Sequence, residues 1–250
     1  MHFLHRHFRN WPLWHYPLSA ALLLWCGPLR AQVGFGPEVA VGMSNYRFAP
    51  ALLFSQASKQ PVLYARVGGV VDIPMDKHFC FQAGISFSTK GTNRSFSYHA
   101  SDSSYEYIGQ NMRLYYAEVP ATILFKTGQQ GKLRCVVGMG AIAAYQVAGR
   151  VSVTDRYRND SDMATTSMHF AAQPGNPIAA FDVAIHLVGG IETATGLSVK
   201  LFYTAGINNL GMGTEIDKSR AWGLSGSWLF GKGRNINKDE DDLIDHSAAE

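Results

Sequence analysis

Apolar and polar residues alternate at every second position through most of the chain after Ala31. A repeat of two puts successive side chains on opposite faces of an extended strand, whereas a helix repeats near 3.6. The alternation predicts eight strands: Val33–Met43, Val62–Ile73, His78–Thr89, Asn111–Lys126, Lys132–Gln146, Ala179–Glu192, Leu197–Ile207 and Arg220–Phe230. Several exceed the roughly 5–6 residues usual for a soluble strand. They match the about 9–11 residues with which a tilted strand crosses a bilayer.

The connections alternate in size. Tight polar turns follow the second, fourth and sixth strands: Pro74-Met75-Asp76-Lys77, Thr127-Gly128-Gln129-Gln130-Gly131 and Thr193-Ala194-Thr195-Gly196. Long segments join the other pairs, namely Ser44 to Pro61, Lys90 to Gln110, Val147 to Ile178 and Asn208 to Ser219. Short turns at one end and long loops at the other are expected of an all-β, eight-stranded antiparallel up-and-down transmembrane barrel, whose short turns are periplasmic. A soluble sandwich has no reason to gather its long loops at one end.

The two faces of each strand differ in kind. In the third, Phe79, Phe81, Ala83, Ile85 and Phe87 oppose His78, Cys80, Gln82, Gly84, Ser86 and Ser88. In the fifth, Cys135, Val137, Met139, Ala141, Ala143 and Tyr145 oppose Arg134, Val136, Gly138, Gly140, Ile142, Ala144 and Gln146. The polar face also carries Glu38, Asp72, Glu118, Asp182 and Glu192 against Arg66, Lys126, Arg134 and Lys200. An eight-stranded barrel is just wide enough for side chains to fill. Charges facing its axis have to pair across it, so these nine residues are expected to form a structural interior network and not a catalytic set. Phe35, Phe79, Phe81, Phe125 and Phe230 fall at the short-turn ends of their strands, and Phe87, Tyr115, Tyr145, Phe181 and Trp222 near the long-loop ends. Two such aromatic girdles mark the interfaces of a membrane barrel.

Composition enters through the N-terminus. Met1 to Ala31 has a basic start with Arg6 and Arg9, an apolar run from Leu18 to Leu29 and a small residue at Ala31, which reads as a signal peptide. The run is too short for a membrane-spanning helix, which needs about 20 residues. The 250-residue chain has a formal charge of +3, and loss of Arg6, Arg9 and Arg30 with no acidic residue brings it to zero. The basic balance therefore belongs to the targeting segment, and no nucleic-acid partner is expected. The chain divides into a signal peptide (1–31), a barrel (32–232) and an acidic tail (233–250), expected to be disordered and periplasmic, with the run Asp239-Glu240-Asp241-Asp242.

Candidate chemistry changes little. Gly138-Met139-Gly140-Ala141-Ile142-Ala143 matches a dinucleotide-binding spacing by letters. That fingerprint needs a helix to begin at the glycines, and here strand periodicity runs straight through. Cys80 and Cys135 fall on opposite faces, which excludes a disulfide between them, and neither stands at metal-ligand spacing. His99, His169, Met163 and Met168 have no chelating pattern. Neither cofactor, metal nor catalytic group is expected.

Several stretches resemble a known family. Ala117 to Lys126, AEVPATILFK, resembles the "LEIPLLLK" strand of the PorT-like outer-membrane β-barrel proteins of the Bacteroidota. Phe181-Asp182-Val183-Ala184 through Gly189-Gly190-Ile191-Glu192 is similar to that family's strand with a Phe-Asp start and a glycine-rich end. LSVKLFYTAGINNL, Leu197 to Leu210, and Ser219 to Lys232 resemble its last two strands. The resemblance implies an outer-membrane barrel of eight strands. The family's namesake is linked to type nine secretion, most members have no assigned activity, and no catalytic residues are available to transfer. The long third loop and the acidic tail depart from the family pattern.

The sequence thus leads to a non-enzymatic barrel in the outer membrane. Its partners are expected to be the lipid around it and a protein met by the external loops or the tail. Two alternatives stay open: a barrel enzyme acting on lipid at the outer leaflet, and a soluble periplasmic ligand-binding barrel with its apolar face inward.

Overall fold

The computed structural model describes residues 33–47, 58–99, 105–127, 132–157, 164–170, 180–210 and 218–230. The chain divides between Ala31 and Gln32 into two units. The expected signal peptide and acidic tail both lie outside the described residues.

The described residues form nine strands: β1 (Gly34–Arg47), β2 (Ser58–Pro74), β3 (Phe79–His99), β4 (Tyr105–Lys126), β5 (Arg134–Tyr157), β6 (Ala164–Phe170), β7 (Phe181–Glu192), β8 (Leu197–Gly206) and β9 (Lys218–Trp228). They form one antiparallel sheet in the order β4-β3-β2-β1-β9-β8-β7-β5-β6, and β4 also pairs with β5. That last pairing closes a ring of eight, and β6 hangs on β5 outside it. The fold is a closed eight-stranded antiparallel barrel. Closure leaves no unpaired backbone within the ring, the condition for a sheet to cross lipid.

Closure runs through β1 and β9, with Glu38 opposite Ser227 and Arg47 opposite Lys218. Midway along this seam Gly42 faces Gly223. A Cβ on Gly42 would lie 2.0 Å from the Trp222 carbonyl oxygen, so the two backbones abut too closely for any side chain. Two residues past the end of β9, Phe230 exchanges backbone hydrogen bonds of 2.9 and 2.7 Å with Phe35 of β1. In the tight turn after β7, Gly196 has φ of 86°, the left-handed conformation that glycine adopts without strain.

Burial follows the period of two. Val137, Met139 and Ile85 are 58%, 64% and 69% exposed, whereas Tyr64, Tyr116 and Glu118 are fully enclosed. The apolar face therefore points outward, and the polar face forms the interior together with two clusters around Tyr64, Leu124 and Phe202 and around Tyr46, Tyr116 and Ile142. An apolar exterior overturns the inward apolar face of the soluble alternative. Gly140 lies inside, where an added Cβ would meet the Ala121 carbonyl oxygen at 2.0 Å. Its segment is unbroken β5 strand with no helix after the glycines. Cys80 is buried inside and Cys135 exposed on the outside.

The strands differ from the sequence expectation at the long-loop end. Lys90 to Gln110 was expected as a loop, yet β3 continues to His99 and β4 begins at Tyr105. Val147 to Ile178 likewise contains the end of β5 and all of β6. Pairing persists here through Arg94 with Gln110 and Ser152 with Ser167. In Lys90 to Arg94 the inward and outward positions are both without apolar side chains, so the alternation that reveals a strand disappears while its backbone ladder continues.

Candidate functional site: the charged interior and the outer rim

The nine charged residues expected inside are all there, none more than 8% exposed. They come from β1, β2, β4, β5, β7 and β8, and all nine have even numbers, the parity that faces inward on these strands. From the short-turn end, Arg134 pairs with Glu192. Lys126 bridges Glu192 at 2.8 Å and Asp72 at 2.5 Å. Gln82 donates to Asp72 at 2.7 Å and accepts from Lys200 at 2.9 Å. Lys200 reaches Glu38 at 3.2 Å, and Arg66 donates to the other Glu38 oxygen at 2.7 Å. The Arg66 guanidinium also lies 5.6 Å from the centre of the Phe202 ring. A continuous chain of ion pairs and hydrogen bonds thus crosses the lower part of the interior.

Glu118 and Asp182 stand apart from that chain, and the residue that joins them was placed in a loop by the sequence. Lys90 sits in β3, 3% exposed, 2.9 Å from Glu118 and 3.2 Å from Asp182. Ser219 donates to Asp182 at 2.7 Å. The Lys90 ammonium lies 5.0 Å from the Tyr116 ring centre, and the Tyr116 and Tyr46 hydroxyls are 3.3 Å apart. Counting Lys90, the described interior holds five cations (Arg66, Lys90, Lys126, Arg134 and Lys200) and five carboxylates (Glu38, Asp72, Glu118, Asp182 and Glu192). A signal for Lys90 was available: it continues the inward parity of Gln82, Ser86 and Ser88 by two residues. Without Lys90, the nine expected residues leave Glu118 and Asp182 with no cation between them.

Each carboxylate of this arrangement lies within 3.2 Å of a cation, while the buried Arg66 Nε and Nη1 and Asp182 Oδ1 make no hydrogen bond. Buried His186 is neighboured by Phe202, with ring centres 6.3 Å apart. Among the described residues no group of His, Cys, Asp and Glu is arranged to hold a metal ion. The side chains of His99 and His169 and the whole of Met163 lie outside what is described.

The outer surface changes character along each strand. Exposed Phe35, Phe79, Phe125, Trp228 and Phe230 gather at the short-turn end, where Phe79 and Phe125 have ring centres 5.3 Å apart and Trp228 stacks on Phe230 at 5.7 Å. Phe87, Tyr115, Tyr145, Phe181 and Trp222 are exposed toward the other end. Beyond them the outward positions turn polar. Gln60, Asn93, Asn111 and Ser152 form one row across β2, β3, β4 and β5. With Ser58 and Thr154 they line a recess of about 280 Å³. A β-bulge between Pro61 and Ala65 and another at Tyr115/Tyr116 set the upper rows off from the barrel below.

The family model described as "Outer membrane protein beta-barrel domain" matches residues 28–211. No curated protein has a sequence that matches this one. Among solved structures, the attachment invasion locus protein Ail of Yersinia pestis, in complex with the heparin analogue sucrose octasulfate, is similar at 11% identity over 80% of this chain and 99% of that one, with a TM-score of 0.34. Neisserial surface protein A is similar at 11% identity over 78% and 97%, with a TM-score of 0.39. The N-terminal β-barrel domain of Pseudomonas aeruginosa OprF is similar at 11% identity over 76% and 97%, with a TM-score of 0.28. At such scores none of the three bears on what this chain binds.

Proposed function

We propose that this chain, which belongs to the outer membrane protein β-barrel family and resides in the outer membrane, is a non-enzymatic interaction module: the barrel anchors it, and the sheet raised above the long-loop rim meets a protein partner. The observation that carries this reading is the inequality of the strands. β3, β4 and β5 have 21, 22 and 24 residues, against 12, 10 and 11 for β7, β8 and β9. About 9–11 residues suffice to cross the membrane. The surplus on one side of the ring builds a sheet of β2 to β6 whose described outward row, Gln60, Asn93, Asn111 and Ser152, offers amides and a hydroxyl. The interior supports the same reading, since the described part of it is packed with paired side chains. The finer expectation, a PorT-like member working beside type nine secretion, rests on the resemblance of the strand motifs alone.

A photoreactive residue in place of Asn111, on the raised sheet, tests the proposal in intact cells against one in place of Met139, on the lipid-facing wall. Protein adducts should form at position 111 and not at 139. An absence of protein adducts at both would sink the interaction reading.

A further inference from the structure

The ring of eight is closed, but the sheet raised above it is not. β5 gives one edge to β4, from Val136 opposite Lys126 to Tyr157 opposite Glu106. Its other edge is divided: β7 takes it from Arg134 to Tyr145, and β6 takes it from Gly149 to Asp155. Above the ring the strand order is therefore β2-β3-β4-β5-β6, and β1 does not extend it, because its pairing with β2 ends at Ser44 opposite Val62. Among the described residues, no strand pairs with the far edge of β6, nor with that of the β2 segment from Ser58 to Pro61.

The two open edges differ. An open edge shows a row of N–H and C=O groups, and proteins guard it with proline, lysine or a bulge. The β2 edge has all three: Lys59, Pro61 and the bulge between Pro61 and Ala65. β6, Ala164-Thr165-Thr166-Ser167-Met168-His169-Phe170, has none of them. It contains no Lys, Arg, Asp, Glu, Pro or Gly, and all seven residues pair with β5 in unbroken register. That ladder holds β6 extended, with every second residue directing its N–H and C=O away from β5.

The chemistry of such an edge selects its occupant, because a row of backbone donors and acceptors is matched by the backbone of another strand. Charge narrows the choice: an ammonium or carboxylate on the incoming strand would find no opposite charge on β6. A second copy of this chain fits poorly. β6 is antiparallel to β5 and runs from the long-loop end toward the membrane. Every copy in the same membrane runs it the same way, so two β6 edges meet only in parallel, the less stable ladder.

We propose that the far edge of β6 is a docking site for an extended, uncharged segment of a partner protein, which continues the raised sheet as a further strand antiparallel to β6. This rests on the protein-partner reading of the raised sheet and names how the partner is held: by backbone hydrogen bonds along β6, with the guarded β2 edge unused.

The test uses the full chain folded in a neutral detergent and a fluorescent peptide of alternating threonine and valine, as long as β6. N-methylation of every second residue leaves this peptide one pairing edge, so it cannot build fibrils; a peptide methylated throughout has none. The one-edged peptide should bind and the fully methylated one should not. Thr166 and Ser167 direct their backbone groups to opposite edges, so one of Thr166→Pro and Ser167→Pro removes a donor from the free edge. At least one of the two should weaken peptide binding by about tenfold or more, as the loss of a ladder hydrogen bond predicts. Heat-modifiable migration should persist in both, because β6 lies outside the ring. Ser58→Pro, on the β2 edge, should leave binding unchanged. Equal binding of the two peptides, binding that neither β6 variant weakens, or an equal loss with Ser58→Pro overturns the proposal. A dimer of the chain that the peptide dissociates overturns the partner assignment, because the edge then serves a second copy. Adducts at position 111 without peptide binding leave the protein-partner reading standing and overturn this one. Peptide binding without those adducts overturns the reading on which it rests.

Discussion

The inner and outer surfaces of the same wall treat charge in opposite ways. Inside, five basic and five acidic side chains balance, each within 3.2 Å of an oppositely charged partner. Outside, toward the long-loop end, basic residues stand opposite one another, Arg113 against Arg150 and Arg47 against Lys218. The difference follows from what each surface can borrow. An interior sealed from water must contain its own counter-ions, because an uncompensated buried charge costs several kcal/mol. An exposed surface stands in a high dielectric, where like charges opposite one another cost little.

Removing one member from each surface separates the two regimes, and the largest effect is expected inside. Lys90→Met leaves Glu118 and Asp182 enclosed with no cation between them, and should cost about 3–5 kcal/mol, read as a lower urea midpoint for loss of heat-modifiable migration. Adding Glu118→Gln and Asp182→Asn should restore most of that loss. A single variant within about 1 kcal/mol of wild type would show that the interior tolerates free charge. Next in size, Met139→Arg puts a cation on the lipid-facing wall halfway between Arg134 and Tyr145, away from any headgroup, at a cost of about 2–4 kcal/mol in the same assay. Normal assembly of that variant would reverse the inside and outside of the barrel. The smallest effect belongs to the rim. Arg113→Gln relieves its repulsion with Arg150 and should leave stability in neutral detergent the same or higher by about 0.2–1 kcal/mol. A clear loss instead would mean that the rim, like the interior, is neutralised from within the protein.

What the sequence disclosed and what it hid divide at the same rim. Within the membrane each strand has lipid on one side and a packed interior on the other, so residues such as Ile85 and Ser86 fall on opposite faces and the period of two is legible. Turn length separated the two ends of the barrel, and parity placed Cys80 and Cys135 on opposite faces. Above Thr89 the signal fails for a physical reason. Gly91-Thr92-Asn93-Arg94 has no apolar side chain to alternate with a polar one, so a strand whose ladder continues reads as a loop. Lys90 was lost with it, being the last inward residue before that run, and so the interior network was seen one cation short. The opposed arginines were hidden differently. Arg113 and Arg150 become partners only through a register shifted by the bulge at Tyr115/Tyr116, which no reading of either strand alone contains.

The seam of facing glycines sets a timetable for assembly. β1 is the first strand of the ring and β9 the last, so the earliest wall segment must wait for the end of the chain before its outer edge is covered. Until Gly42 meets Gly223, Glu38 and Lys200 still have a path to water, and their pairing remains reversible. Once that seam shuts, all ten interior charges are committed together. Closure is therefore a single late event with few partial stages, slow because its partners are nearly the whole chain apart. A mispaired interior would have to reopen at the seam before it could be corrected.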